Sequence, residues 1–296
     1  MTEYNNHYDP TMAIPPGIAA VDTMIGFPRD NSEENYEFLR PLLRDESKEY
    51  KFPAEYMFKQ HTNVLDEGAS GFDVTLALMD KHGIEKGLIG CGPEHYQKAL
   101  RERPDRFRGI IDVDPNDIMG AVRKVRQAKQ DFDIVGVNVF PAGCNPQVPV
   151  SDRRMYPLFA TCIDLDIVMC INAGVPGPRV PMRCQHVELF DEVMYDFPEL
   201  RLVMRHGAEP WEDLAIKLML KWPGLHYSTS AFAPKHYPKA IINYANTRGA
   251  DKIIYAGYFP MGLTLDRIFA ELQDVPFKAE VWPKFLRENA MRVFKL

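Results

Sequence analysis

His206 is the residue of this sequence whose side chain is best suited to proton transfer. It lies in the segment Leu202–Trp211, and Glu209 follows three residues later. An imidazole with a pKa near neutrality can act as a general acid or base, and a carboxylate beside it can orient or charge-pair the ring. Two interpretations stay open: His206 carries a catalytic proton, or it is a polar residue whose hydrogen bonds are satisfied in the core.

Asn172 and Tyr258 each end a short apolar run and carry hydrogen-bond donors. A phenol with a pKa of about 10 can polarise a carbonyl or stabilise an oxyanion, and an amide can hold a carbonyl oxygen. Alternatively, Tyr258 fills space and Asn172 closes a local hydrogen-bond network. With His206 and Glu209 they form the predicted catalytic set.

Arginines supply the predicted anchor for an acid group. Arg179 and Arg183 lie in the loop sequence GVPGPRVPMR, where a guanidinium could clamp a carboxylate through two hydrogen bonds. Arg205 adjoins His206, and the alternation of side chains along a strand predicts that it points into the layer between barrel and helices, toward an acidic partner.

Apolar and amide side chains near the same segment ends predict a pocket for a bulky ligand. Loop positions occupied by Met and aromatic residues often line such pockets. The residues predicted to contact the ligand, besides the two loop arginines, are Met24, Asn138, Trp211 and Phe232. No Gly-x-Ser-x-Gly elbow occurs, so a serine nucleophile is not expected.

Eight short, β-branched apolar runs alternate with amphipathic segments and would position these residues. The runs are Ile18–Asp22, Lys86–Ile89, Arg108–Val113, Ile134–Phe140, Val168–Asn172, Leu202–His206, His226–Ser230 and Ile253–Tyr258. Strands alternating with helices indicate parallel βαβ units, and eight units predict a (β/α)8 barrel with its chemistry at the carboxyl ends of the strands. An open doubly wound sheet would carry a glycine fingerprint after the first strand, which is absent. We therefore expect one domain over residues 1–296.

Two stretches depart from this alternation. Residues 28–70 form a long insertion after the first strand, rich in aromatic residues and Met, and predict an ordered lid over the barrel mouth. The tail Val281–Leu296 is predicted to be a final helix that closes the barrel wall.

Several motifs resemble those of a known family. FRGIIDVDP at residues 107–115, IVGVNVFP at 134–141, LVMRHGAEPW at 202–211 and DKIIYAGYFPM at 251–261 occur in the order found in the amidohydrolase-related proteins that include aminocarboxymuconate semialdehyde decarboxylase. The resemblance extends from about Val21 to the end of the chain and implies the barrel fold of the amidohydrolase superfamily.

The same resemblance implies a divalent metal site, and this chain departs from it. The family's Asp-x-His-x-His motif reads Asp22-Thr23-Met24-Ile25-Gly26, and its metal-binding histidine and aspartate on the fifth and eighth strands align with Asn172 and Tyr258. His206 alone survives, whereas a catalytic zinc needs about three convergent ligands. We therefore predict no metal and no other cofactor.

Composition excludes several partners and points to one compartment. The chain has 46% hydrophobic and 26% charged residues, a net charge of −6, and no basic stripe or long apolar run. These features argue against nucleic-acid and membrane binding. The polar N-terminus and five cysteines without paired spacing predict a cytoplasmic protein with reduced thiols. Family resemblance and the aromatic segment 52–58 suggest a homodimer.

These observations lead to a metal-independent enzyme that acts on a small carbonyl substrate with a bulky apolar part. A hydrolase of a lactone or activated ester is the leading interpretation, because metal-free superfamily members such as pyrone dicarboxylate lactonase grip carboxylates with arginines. A decarboxylase or hydratase on the same fold is the second. The third is an inactive barrel that binds a ligand or a protein.

Overall fold

The barrel consists of eight parallel strands that follow one another in chain order. The computed structural model describes residues 14–29, 32–57, 65 and 68–296. The strands are β1 (Ala20–Asp22), β2 (Ile84–Gly90), β3 (Phe107–Asp112), β4 (Gly136–Val139), β5 (Val168–Asn172), β6 (Leu202–Arg205), β7 (Leu225–Ser228) and β8 (Ile253–Ile254). Each of the eight predicted runs overlaps one of them.

The sheet closes where the chain leaves β1 and β8. Ile25 pairs in parallel with Phe259, the Gly26 N–H donates to the Phe259 carbonyl at 2.8 Å, and the Tyr258 N–H donates to the Met24 carbonyl at 3.0 Å. These bonds join the two outer strands just beyond their carboxyl ends. The predicted (β/α)8 barrel is therefore confirmed.

Amphipathic helices surround the strands and bury their apolar faces on the outside of the sheet. They are α1 (Gly71–Lys81), α2 (Glu94–Glu102), α3 (Ile118–Phe132), α4 (Tyr156–Asp164), α5 (Leu189–Asp196), α6 (Glu212–Lys221), α7 (Lys239–Tyr244) and α8 (Leu265–Leu272). Side chains of Ser70, Asp117 and Thr264 cap three of them at the amino end. Among the described residues, none of the helices is long and apolar enough to cross a membrane.

The chain's last residues close the bottom of the barrel. Short helices α9 (Val281–Pro283) and α10 (Asn289–Phe294) flank a π-helical turn at Lys284–Glu288. Val293 and Phe294 pack with inward-facing strand residues such as Val21 and Val203. The prediction that this tail closes the barrel wall was wrong: its apolar face plugs the amino end, where the inner side chains need a cover.

The insertion after β1 contains short 3-10 helices at Ser32–Leu42, Glu46–Glu49 and Glu55–Met57. The Tyr36 hydroxyl contacts the Met261 sulfur at 3.1 Å, and the Tyr56 hydroxyl donates to the Gly177 carbonyl at 2.6 Å. The described part therefore rests on loops at the carboxyl ends of β5 and β8. Residues 30–31, 58–64 and 66–67 lie outside the described residues, and the roles of lid and dimer surface stay predictions.

Gly174 joins the loop after β5 to the loop after β6 and tolerates no side chain. Its φ is +88°, and a Cβ there would lie 2.6 Å from the Glu209 carbonyl oxygen. Gly174→Ala is therefore expected to lower the free energy of unfolding by about 3 kcal/mol or more, measured by urea denaturation. Gly92→Ala is the matched control, since its Cβ would meet nothing within 4 Å. Equal stability of the two variants would contradict the close approach.

Candidate active site

Arg205 enters the barrel, and the prediction that it points outward was wrong. Val203 belongs to the inner cluster beneath the mouth, and side chains two residues apart on a strand share a face. Arg205 therefore points inward at the carboxyl end of β6, where it is 6% exposed. The prediction assumed that alternation continues to His206, but the backbone turns there, with φ at +65°.

A chain of hydrogen bonds crosses the inner wall from β6 to β3. Arg205 Nη1 donates to Asn138 Oδ1 at 2.8 Å, and Asn138 Nδ2 donates to Asp112 Oδ1 at 2.5 Å. In the described part of the chain, no carboxylate oxygen forms an ion pair with Arg205, and its other N–H groups have no protein acceptor. The mouth thus holds a buried cation whose one protein partner here is a neutral amide.

Asn172 lies beside this cation, because its Cα pairs with that of Arg205 across β5 and β6. It shares its face with Cys170 of the inner cluster. The side chain is 7% exposed, and its Oδ1 has no hydrogen-bond partner among the described residues. A buried acceptor without a partner is costly, so this amide is placed for a ligand that enters the mouth.

His206 is held by Ser230, not by Glu209. Its backbone N–H donates to Ser230 Oγ at 3.1 Å, and its Nδ1 lies 3.0 Å from the same oxygen. Removal from water and the positive charge of Arg205 lower the pKa of His206 to about 3. The ring is therefore neutral at physiological pH, whereas the sequence predicted a pKa near neutrality.

Tyr258 lies next to His206, with the two ring centres 5.3 Å apart in an edge-to-face arrangement. Its backbone is left-handed, with φ at +62°, and its N–H is bonded to the Met24 carbonyl. Burial raises the pKa of Tyr258 to about 12, which keeps the phenol a neutral donor. Tyr258 and Met24 thus adjoin at the seam between β1 and β8.

Three further predicted site residues lie on the loops after β6 and β7. Glu209 makes no described hydrogen bond to His206, and burial beside Glu212 raises its pKa. Trp211 packs against His186, with ring centres 3.9 Å apart. Phe232 lies against Gly207, the residue after His206, so of the three it is the one packed directly against the His206 turn.

The two loop arginines do not join this cluster. Arg179 forms ion pairs with Asp45 and, at 2.8 Å, with Glu46 of the insertion, and its guanidinium lies 4.8 Å from the centre of the Tyr56 ring. Arg183 is exposed on the 3-10 turn Arg183–Gln185. Arg179 thus fastens the insertion to the loop after β5, and the cation that lies in the mouth is Arg205.

Asp22 lies behind the site and ties β1 to the end of β8. Its Oδ1 accepts hydrogen bonds from the N–H groups of Met24 at 3.0 Å and Gly257 at 2.9 Å. Its Oδ2 and the Tyr255 hydroxyl are both buried, and the Tyr255 hydroxyl also acts to lower the pKa of Asp22. Complete burial raises the pKa of Asp22 to about 7 against the opposing effect of the two N–H donors.

The side chains at the family's metal positions do not fit a divalent ion. Within the described ranges, no group of three His, Cys, Asp or Glu residues could hold a metal. The position of the second histidine is closed as well, because a Cβ on Gly26 would lie 2.7 Å from the Tyr96 hydroxyl. The donors that remain are one imidazole, an amide and a phenol, a weak set for such ions.

Sequence reasoning missed two residues that shape this site. The alternation of side chains along β6, counted from Val203, places Arg205 on the inner face of the barrel. Counting from His206 gives the opposite face. Ser230 was not among the predicted site residues, because its partner His206 lies 24 positions away beyond the end of another strand. Chain spacing carries no signal for that contact.

Known structures share this fold at low sequence identity. An uncharacterised TIM-barrel protein, Bb4693, from Bordetella bronchiseptica is 22% identical with a TM-score of 0.71, over 94% of this chain and 98% of that chain. A 2,6-dihydroxybenzoate decarboxylase from Rhizobium is 16% identical with a TM-score of 0.65, over 94% and 98%. The 4-oxalomesaconate hydratase of Rhodopseudomonas palustris is 16% identical with a TM-score of 0.57, over 93% and 95%.

At the level of sequence, a family model matches the region that contains the four motifs at residues 107–115, 134–141, 202–211 and 251–261. No curated protein matches the chain. The family model described as amidohydrolase matches residues 21–296, which include all eight strands and every residue of the candidate site. By this match, the chain belongs to the amidohydrolase family.

Proposed function

We propose that this protein is a lyase, a decarboxylase of a small carboxylate, that works at the carboxyl end of the barrel without a metal. One observation carries the proposal: Arg205 is buried in the mouth, and its partner among the described residues is the neutral amide of Asn138. A buried cation without a carboxylate paired directly to it is costly. An anionic substrate would supply that carboxylate.

Neutral donors beside Arg205 would stabilise negative charge that develops on the substrate. The Tyr258 phenol has its pKa raised to about 12 and stays protonated, and Asn172 lies directly opposite Arg205 on the neighbouring strand. One cation with several fixed dipoles is an arrangement suited to an oxyanion in a site shielded from water.

In the proposed reaction, the bond from the carboxyl carbon to its neighbour breaks. In a β-oxo acid, its electron pair moves into the adjacent carbonyl as carbon dioxide leaves, and the enolate carbon then takes one proton from water. In an ortho-hydroxybenzoate, the ring carbon takes the proton first, and the electron pair of the broken bond then restores the aromatic ring as carbon dioxide leaves. Arg205 would hold the oxygen that becomes enolate-like, and the apolar side chain of Met24 would surround the departing group.

The hydrolase expected from the sequence ranks behind the lyase for a chemical reason. Hydrolysis requires a base or a metal to activate water, and His206, with its pKa lowered to about 3, is a weak base. Decarboxylation requires an electron sink instead. Decarboxylases among the similar folds, such as those from Rhizobium and from Novosphingobium aromaticivorans, support the ranking, although the latter was solved with bound manganese.

The test is a panel of carboxyl-labelled ortho-hydroxybenzoates and β-oxo acids, with labelled carbon dioxide measured by mass spectrometry. We expect release at a rate that chelator dialysis leaves unchanged, from protein without stoichiometric metal. Release that is lost with the metal would contradict the metal-independent part of the proposal.

The panel, extended to unsaturated acids and lactones in labelled water, distinguishes the other candidates. Incorporation of labelled water into an unsaturated acid without carbon dioxide release would identify a hydratase, the second candidate because of the Rhodopseudomonas fold neighbour. Ring opening of lactones would restore the hydrolase. Binding of the acids without turnover would identify a ligand-binding barrel.

A further inference from the structure

The Ser230 hydroxyl oxygen contacts two atoms of His206, the backbone nitrogen and ring Nδ1. It accepts the His206 backbone N–H at 3.1 Å and lies 3.0 Å from Nδ1. Ser230 is 0% exposed, so water does not compete for these contacts. Backbone and ring of His206 are therefore fixed to one buried oxygen.

Counting protons around this oxygen assigns the tautomer of His206. A serine hydroxyl has one proton and two lone pairs. The His206 N–H occupies one lone pair, and the Ser228 hydroxyl, 3.4 Å away, is placed to donate to the other. The Ser230 proton then goes to Nδ1, which is closer and more basic than the Ser228 oxygen.

We infer that Ser230 is a positioning residue that holds His206 as the Nε2–H tautomer, so that the ring donates a hydrogen bond into the mouth. Nε2 makes no hydrogen bond within the described part of the chain, and the edge-to-face contact with Tyr258 fixes the ring plane. His206 thereby serves as a neutral donor to a substrate oxygen and not as a base.

Two features make the tautomer of His206 decide how its ring interacts with a substrate oxygen. Arg205, next in sequence, is a permanent cation, and its charge together with burial keeps a second proton off the ring. A neutral imidazole presents either a donor or an acceptor at Nε2. An acceptor at Nε2 would repel a substrate oxygen, whereas a donor adds to the charge stabilisation by Arg205.

The decisive measurement is nitrogen NMR of the histidine rings, with His206 assigned by comparison with His206→Gln. In the wild type we expect a protonated Nε2 and a bare Nδ1. Ser230→Ala should average the two shifts between tautomers, while Ser230→Thr keeps the wild-type pattern. Ser230→Cys serves where the alanine variant does not fold, and Ser228→Ala, which removes only the weaker donor, should change the shifts less.

A protonated Nδ1 in the wild type, or unchanged shifts in Ser230→Ala, would overturn the inference. A second readout rests on the proposed function: Ser230→Ala should lower kcat for decarboxylation about 10-fold with little change in KM, and Ser230→Thr should restore it. The NMR result stands whether or not decarboxylation is found, so failure of one is distinguishable from failure of the other.

Discussion

An Arg205→Met variant is expected to lose about 1,000-fold in kcat/KM for decarboxylation and yet to unfold at the same urea concentration as the wild type or a higher one. The loss follows because Met cannot hold the substrate anion or the developing oxyanion. Stability is kept because replacing a buried cation that lacks an acidic partner with an apolar side chain of similar volume is often neutral or favourable.

The experiment combines kinetics, urea denaturation and a thermal-shift titration with benzoate. Benzoate should raise the melting temperature of the wild type and leave that of Arg205→Met unchanged. Arg205→Lys is the control, since it keeps the charge without the planar fork and should retain part of both effects. Full turnover in the Met variant would remove Arg205 from the site, and a collapse of stability would identify it as structural.

The eight-strand barrel could be predicted because local signals agree along the whole chain. Each apolar run is four to seven residues long, and the amphipathic segments between them repeat at helical spacing, so strand and helix alternate without interruption. The tail was placed wrongly, because amphipathicity shows that Val293 and Phe294 are buried but not which surface covers them.

The candidate site was harder to predict because its geometry depends on the turns after the strands. Asn172 lies on a regular strand, and the alternation of side chains there places it on the same inner face as Cys170. His206, by contrast, has a left-handed backbone, so the alternation of side chains along β6 does not continue to it. Because the prediction assumed that it did, Arg205 was placed on the wrong face of the strand. Arg179 was expected in the mouth, but its partners Asp45 and Glu46 lie 133 or more positions away.

The other large expected effect concerns Asp22, the acid behind the barrel seam. Its folded-state pKa of about 7 stands above the ordinary value of 3.8. Between these values the folded protein keeps a proton that the unfolded chain releases. The contribution of Asp22 to stability is therefore full below pH 4, falls as the pH rises to about 7, and is level above that.

Asp22→Asn should remove this dependence. The amide keeps an oxygen for the N–H groups of Met24 and Gly257 and carries no charge at any pH. The free energy of unfolding of the wild type minus that of the variant should fall by about 4 kcal/mol between pH 4 and pH 8. Urea denaturation at half-unit pH steps measures it.

Subtracting the variant's free energy of unfolding from that of the wild type cancels the contribution of the histidines, which changes with pH in the opposite direction. His206 and His226 both have pKa values lowered to about 3, so each makes the protein more stable as the pH rises toward neutrality. Asp152→Asn is the control of sign: pairing with Arg154 lowers the pKa of Asp152 to about 2, and its difference curve, followed down to about pH 2, should rise with pH up to about pH 4 and be level above that. Parallel curves for the wild type and Asp22→Asn would mean that the acid behind the seam is ionised throughout, with its charge compensated by the two N–H donors and Arg205.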